Sequence, residues 1–501
     1  MQHALWRRGY ITNQKDTARA RCRSFPALGH AQASVAGKGV RRMSVFSLSN
    51  LKKTWYYLQK NGIRNAVWAV VERIGQEQEV YTWQEPDEKT LSFQREHSAS
   101  LRISIVVPAY RTKKEHLEAM LNSVSKQSYP HWELIVADAG GTAESVQAWA
   151  KKNGICLREA ADASNLAEWK DQSIVLSTLS ENKGISANTN AGIELAAGDA
   201  VGLLDHDDLL TANALWEMAD CLEKEKKRGK QKLVLFSDED KCDKAASRFY
   251  EPNCKPDFDG ELLLTNNYIC HFTVIETAFL KELKLRSGFD GAQDYDLVLR
   301  AYAAGGQFVH VPKVLYHWRC HEASTASNPQ SKRYAYEAGQ RALEDYCLRK
   351  GWKATVSGLK HLGFYREDYE DSVFCQRPEI GIWAKPLPGG RDVFGIRHPK
   401  GFLVSGLYEN DGSMRYAGLR KGYSGPMHRA ALQQSAPAAD LRSMEVCSAL
   451  KERYAQTIAE LKEACQGLPT AAQETKILQK SMEFCKEATA AGYGILWDPQ
   501  A

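Results

Sequence analysis

The chain has 501 residues, more than one domain of roughly 100–200 residues usually holds, so two or three units are expected. Its apolar fraction of 43% is ordinary for a globular protein, and a formal net charge of +5 spread along most of the chain is too mild to point to nucleic acid. No run of about 18 or more consecutive apolar residues occurs, so neither a transmembrane helix nor a secretory signal is expected and the chain is expected in the cytoplasm.

Residues 1–42 carry nine Lys or Arg against the single acid Asp16 and show no apolar periodicity, the composition of a disordered basic segment. They differ so much from the rest of the chain that Met43 reads as a second candidate start. Within 43–100, Leu51 to Ile74 place Trp55, Leu58, Ile63, Val67, Trp68 and Val71 among Lys and Arg, the pattern of an amphipathic helix interrupted near Asn61-Gly62. Such a helix either anchors the chain peripherally on anionic lipid at the inner face of the cell membrane or packs on the next domain. A polar linker, Gln84 to Ser100, comes next. The 12 cysteines form no C-x-x-C pair and read most simply as free thiols.

From residue 101 to 320 short β-branched runs alternate with helical patterns. "ISIVVPAY" (Ile103 to Tyr110) and "WELIVADAGG", ending at Asp138 and two glycines, read as strands, "HLEAMLNSVSKQ" and "NTNAGIELAAGD" as helices, and "AVGLLDHDD" as a later strand. This alternation predicts an open, mostly parallel sheet with both faces covered. Ligands bind such sheets beyond the carboxyl ends of the strands. Pro108, Ala109, Tyr110, Asp138 and the acids Asp205, Asp207 and Asp208 are therefore expected to meet in one crevice.

Three carboxylates in a strand-end loop repel one another unless a cation neutralises them. A hard divalent ion, Mn²⁺ or Mg²⁺, typically takes one or two carboxylates and leaves its other positions to water and phosphate, which implies a nucleoside diphosphate ligand. Taken alone, D-x-D-D is equally compatible with a solvated turn capping the helix that begins near Thr211.

In this order and spacing, "VVPAY", "IVADAGG", "NKGISANTNAGIELAAGDAVGLLDHDD" and "QDYDL" resemble the inverting family-2 glycosyltransferases of the GT-A fold, over roughly residues 101–320. "LLDHDDLL", "FSDEDK" and "YHWR" are similar to rhamnosyltransferase-like bacterial members that build surface polysaccharide. The resemblance implies a Rossmann-like α/β domain, a nucleotide-sugar donor, and a glycan or lipid-linked acceptor. Pro108, Ala109, Tyr110 and Asp138 would hold the donor base, Asp205 the ribose, Asp207 the metal with Asp208 in support, and Asp294 would be the general base. Relatives often have Glu just before that aspartate, where this chain has Gln293. The resemblance also implies one sugar transferred per encounter, because the Q-x-x-R-W motif of processive members is absent.

A base at Asp294 is chemically reasonable, since it precedes the helix "YDLVLRAYAA" and a helix N-terminus favours the ionised carboxylate; a plain helix cap is the other reading. In "YHWR", His317 is a candidate metal ligand and Arg319 a candidate diphosphate contact, or both belong to a packed strand end. Asp238, Glu239 and Asp240 in "FSDEDKCD" are either a solvated face or an acceptor-binding loop.

Residues 321–372 read as a helical connector. Beyond it, "DLVLRAYAAGGQFVHVP" (Asp296 to Pro312) recurs as "EFCKEATAAGYGILWDP" (Glu483 to Pro499), with glycines and closing prolines in register. On this alignment Ser481 takes the place of Asp294 and no second D-x-D-D precedes it. Residues 373–501 are thus expected to be a smaller α/β region resembling half of a second, degenerate transferase domain. That half-degraded architecture also leaves open a different protein class, an inactive glycan-binding or scaffolding protein on a transferase fold.

Overall fold

The chain divides into two units, Met1–Gly75 and Gln76–Ala501. The computed structural model describes residues 81–161, 169–320 and 333–358, and beyond them 363–370, 372–378, 380–384 and short pieces between 414 and 497. The basic segment 1–42 and the amphipathic stretch Leu51 to Ile74 lie outside the described residues.

The alternation of strand and helix builds one large sheet. Its strands are β1 (Ile103–Ala109), β2 (Trp132–Asp138), β3 (Cys156–Glu159), β4 (Ser173–Thr178), β5 (Ala200–Leu203), β6 (Leu209–Leu210), β7 (Leu233–Cys242), β8 (Phe249–Asn253), β9 (Thr273–Glu276) and β10 (Gln307–Arg319). They run in the order β3-β4-β2-β1-β5-β9-β7-β10-β6, with β8 on β7. From β3 to β5 every neighbour is parallel. Then β9 runs antiparallel to both β5 and β7, and β10 returns parallel to β7.

The helices are α1 (Glu88–Glu96), α2 (Lys114–Ser125), α3 (Ala143–Asn153), α4 (Ile185–Leu195), α5 (Ala214–Lys227), α6 (Gly260–Thr265), α7 (Thr277–Leu283), α8 (Gln293–Ala303) and α9 (Arg333–Lys350). Strand residues point alternately to the two faces, which is why β1 reads as continuously apolar. Ile103, Ile105 and Val107 pack against Leu117, Met120 and Val124 of α2 and Met218 and Leu222 of α5. Val106, on the other face, packs with Ile193 of α4, Phe279 of α7 and Leu297 of α8. Each such side chain contributes about 1.5–3 kcal/mol on burial. Gly202 of β5 has a steric reason: a Cβ there would lie 2.6 Å from the Phe272 ring, which crosses it just before β9.

A second, smaller sheet is made of β13 (Ile380–Ala384), β16 (Met444–Val446) and β17 (Gly494–Trp497), after the hairpin β11 (Ala354–Gly358) and β12 (Tyr365–Tyr369) and the short pair β14 (Met414–Arg415) and β15 (Ser435–Ala436). In it β13 is antiparallel to β16 and parallel to β17. This is the arrangement of β7 between β9 and β10, and the registers agree. Val234 pairs with Ile275 and Phe308, as Ile382 pairs with Val446 and Ile495. Phe236 pairs with Thr273 and His310, as Ala384 pairs with Met444 and Trp497. A helix starts two residues after the central pair in both cases, α7 at Thr277 and α10 (Ser448–Arg453) at Ser448. The turn into the last strand also recurs: Ala304 and Gly306 amides donate to Arg300 and Ala301 carbonyls, and Ala491 and Tyr493 amides to Glu487 and Ala488. Gly305 and Gly492, both at positive φ (78° and 87°), occupy the same place in those turns.

Candidate active site

The carboxyl ends of β1, β2 and β5 lie side by side, which sets Pro108, Ala109 and Asp138 next to one another at the strand ends, with the acidic turn after the neighbouring strand. Tyr110 is exposed beside the loop after β2, where the Arg111 amide donates to the Gly140 carbonyl at 2.9 Å. Ala109, itself buried, accepts from the Ala139 amide at 2.8 Å, and Pro108 precedes it in β1. Asp138, the expected contact to the donor base, also organises the loop. It is buried, its Oδ1 accepts from the Gly140 amide and its Oδ2 from the Thr142 and Ala143 amides, so the carboxylate shapes the loop and starts α3. Oδ1 carries one amide and keeps acceptor capacity.

After β5 the chain turns sharply, the Asp208 amide donating to the Asp205 carbonyl at 3.3 Å. Asp208 is only 1% exposed; its Oδ2 accepts from the Tyr316 hydroxyl at 2.6 Å and its Oδ1 from the Arg319 amide at 2.7 Å. Burial, then the neighbouring carboxylates of Asp207 and Asp205, push the Asp208 carboxyl well above the usual range. Burial also raises Asp205, with His271 opposing the shift and Asp207 and Asp294 adding to it.

Ligand atoms of Asp205, Asp208 and His271 all lie within 4.8 Å of one another. Two carboxylates and an imidazole around one point, with a third carboxylate alongside, form a donor set that suits a divalent ion: it would remove the repulsion that raises Asp205 and Asp208, and imidazole beside carboxylate favours Mn²⁺ over the oxygen-preferring Mg²⁺. Asp207 is the middle acid of the same turn.

Of the two readings of His317, a metal ligand or part of a packed strand end, the structure shows the second. His317 lies on β10 next to Tyr316, so its side chain points to the opposite face of the sheet. There its Nδ1 meets Asp240 Oδ1 at 2.5 Å and its ring packs between Trp83 and Phe249. Tyr316, facing the acids, stacks on His271 with ring centroids 4.6 Å apart. Arg319 is also committed to the protein: Nε donates to the Asp207 carbonyl at 2.5 Å and Nη1 to the Lys244 carbonyl at 2.7 Å. It braces the acidic turn from behind, and Nη2 alone has no hydrogen-bond partner among the described residues.

Asp294 stands in the first turn of α8 but does not cap it; Ala292 occupies the cap position. Instead Asp294 Oδ2 accepts from Asn267 Nδ2 at 2.7 Å, with the Cys270 thiol 3.8 Å away. Burial and the nearby Asp294 hold that thiol protonated, well above its usual pKa, so it is a donor here. Gln293 Oε1 accepts from the Gly291 amide, and Asp296 is taken up by Arg286 and Arg300. Of the two acids in this first turn, Asp294 is the one left toward the crevice.

The loop acids of "FSDEDKCD" prove to be interior strand residues of β7 and neither solvated nor open to an acceptor. Asp238 accepts from the Lys255 amide at 2.8 Å and contacts His310 Nε2 at 2.8 Å; Glu239 accepts from Asn253, and Asp240 from the Tyr81 hydroxyl at 2.7 Å.

Asn267, Cys270, His271 and Tyr316 are the site residues that sequence reasoning missed. Three of them sit in "NNYICH", a stretch whose chemistry depends on partners 24 or more residues away, so local pattern carries no signal for it.

Residues 104–283 match the family model described as "Glycosyl transferase family 2". The chain is 36% identical over 255 residues to an uncharacterized protein, y4gI, of Sinorhizobium fredii, covering 50% of this chain and 26% of that one. It is 34% identical over 256 residues to the O-antigen biosynthesis protein RfbC of Myxococcus xanthus, covering 51% of this chain and 19% of that one. The chain thus spans about a quarter or less of these relatives. Among solved structures, S. aureus TarS 1-349 in complex with UDP-GlcNAc is similar with 20% identity and a TM-score of 0.38, covering 50% of this chain and 67% of that one.

Proposed function

We propose that this chain, whose residues 104–283 belong to a family-2 glycosyltransferase domain, moves one sugar from a nucleoside-diphosphate donor to a hydroxyl of a glycan or lipid-linked acceptor, with inversion, in cell-surface polysaccharide synthesis. The observation that carries this reading is the meeting of Asp205, Asp208 and His271 within 4.8 Å at the strand ends, with Asp294 near enough to bear on Asp205. The name of the Myxococcus relative supports polysaccharide as the product class.

In this reading Tyr110 and the loop after β2 receive the donor base, and Asp205, Asp208 and His271, with Asp207 beside them, hold Mn²⁺ or Mg²⁺. A divalent ion held there would stabilise the negative charge that grows on the departing diphosphate. Asp294 accepts the proton of the acceptor hydroxyl as that oxygen bonds to the anomeric carbon and the bond from carbon to diphosphate breaks. Attack from the face opposite the diphosphate inverts the anomeric centre. Asn267 keeps the Asp294 carboxylate in place for this.

We read residues 380–497 as a second copy of the β9-β7-β10 half, supported by the shared strand directions and registers. Ser481 stands where the first copy has Asp294, so the copy lacks a base and contributes no transfer centre.

Incubation with a panel of UDP-, dTDP- and GDP-sugars, Mn²⁺ or Mg²⁺ and membrane extract tests the proposal. Metal-dependent turnover of one donor is expected, lost in Asp207→Asn and His271→Ala and kept in His317→Ala. Absence of any donor binding or turnover with metal present would sink it.

A further inference from the structure

The strongest unexplained feature near the site is a buried ammonium. Lys255 is 1% exposed, on a chain segment with no catalytic assignment. Placing an ammonium in the interior costs several kcal/mol unless its donors are used. Its Nζ donates to the Ile269 carbonyl at 2.5 Å and to the His271 carbonyl, with Glu239 Oε2 at 3.6 Å as counter-charge. Its backbone amide is tied to Asp238. The acids of β7 therefore hold Lys255, and Lys255 holds one loop.

That loop, residues 266–271 between α6 and β9, serves both ends of the crevice. Asn267 donates to Asp294, while His271, four residues on, stands with Asp205 and Asp208. The loop is irregular, with Cys270 at φ 37°, and among the described residues the carbonyls of Ile269 and His271 lie outside any strand. A donor from outside the loop must satisfy them, and Lys255 does.

We propose that Lys255 is a positioning residue that sets this loop, so that one side chain aligns Asn267 against the base and His271 against the cation site. The inference rests on the proposed roles of Asp294 and of Asp205, Asp208 and His271. It absorbs "FSDEDK" and the nearby "KPDFDGELLLTNNYICH" into the site: the acids of the first locate the lysine of the second.

The test uses the full chain with Lys255→Met, which keeps length and removes the donors, Lys255→Arg, which restores donors, and Asn267→Ala. Three readouts are taken: amide hydrogen exchange over 266–273, Mn²⁺ binding by calorimetry, and kcat against KM for donor turnover. Lys255→Met is expected to speed exchange in that loop while β1 and β2 stay protected. It should also weaken Mn²⁺ by about tenfold or more, the usual effect of losing a group that orients a metal ligand. The kcat should fall in both Lys255→Met and Asn267→Ala, with the donor KM little changed in Asn267→Ala, because Asp294 is no longer held by Asn267. The losses in kcat should not add in the double variant, whereas Asn267→Ala alone should leave Mn²⁺ affinity unchanged, and Lys255→Arg should recover part of both effects. Unchanged exchange at 266–273 in Lys255→Met would overturn the proposal even if no donor were ever found. So would faster exchange with the Mn²⁺ affinity and kcat of the wild type. If wild type itself bound no Mn²⁺, the cation site would fail while the exchange result still decided whether Lys255 sets the loop.

Discussion

Asp208 carries the heaviest electrostatic burden in the crevice, buried with carboxylates on both sides and held by a tyrosine hydroxyl and a backbone amide. Its carboxyl is raised in the folded chain above the ordinary value of about 3.9 that it has when unfolded. A raised carboxyl favours folding most below the unfolded value, and that contribution is lost as pH rises through the folded value. In metal-free buffer, wild type should therefore lose thermal stability relative to Asp208→Asn as pH rises from about 4 toward neutrality, and Mn²⁺ should restore it in wild type alone. Melting curves across pH, with and without Mn²⁺, check this; a difference that is flat with pH would contradict it. The three acids were legible in the sequence because they adjoin one another after an apolar run. The histidine that joins them was not. His317 lies closer to a recognisable motif, yet strand alternation sends its side chain to the other face, and His271 arrives from a loop that leads into the antiparallel β9 and is held by contacts distant along the chain.

At the scale of elements, the two ends of the parallel strands do different work. The carboxyl ends open into the crevice; at the amino ends Ser104 of β1, Glu133 of β2, Arg158 of β3 and Ser173 of β4 form a buried network. Glu133 accepts from Ser104 at 2.7 Å and from Arg158 at 2.8 Å, and Arg158 donates to Ser173 at 2.9 Å. Removing one partner strands a buried charge, so Arg158→Met should cost about 3–5 kcal/mol in denaturant unfolding. It should leave Mn²⁺ affinity unchanged, since the network lies at the far end of the strands. A loss of Mn²⁺ affinity there would mean that sheet packing and site geometry cannot be separated. Strand ends such as Ala109 and Asp138 were readable because Pro, Gly and Asp punctuate the apolar runs. β7 was not, because its acids look solvent-facing in sequence and are satisfied by Lys255, His310 and Tyr81, all distant along the chain.

Across the whole molecule, the proposed copy repeats the strand directions, register and closing glycine turn of β9-β7-β10, while its sequence carries no second D-x-D-D. The glycine and proline spacing made the last strand of the proposed copy visible in sequence, and "EIGIWAKPL", which holds β13, resembles the later part of family-2 transferase domains; β16 is matched to β9 by its pairing. If transfer happens at a single centre, everything depends on Asp294. The deciding measurement is donor turnover by the full chain carrying Asp294→Asn, with folding checked by its melting curve and Mn²⁺ binding. The account predicts a folded, Mn²⁺-binding protein slowed by about 10²–10⁴-fold, the contribution of a general base. Turnover near the wild-type rate would contradict it and place the base elsewhere in the molecule.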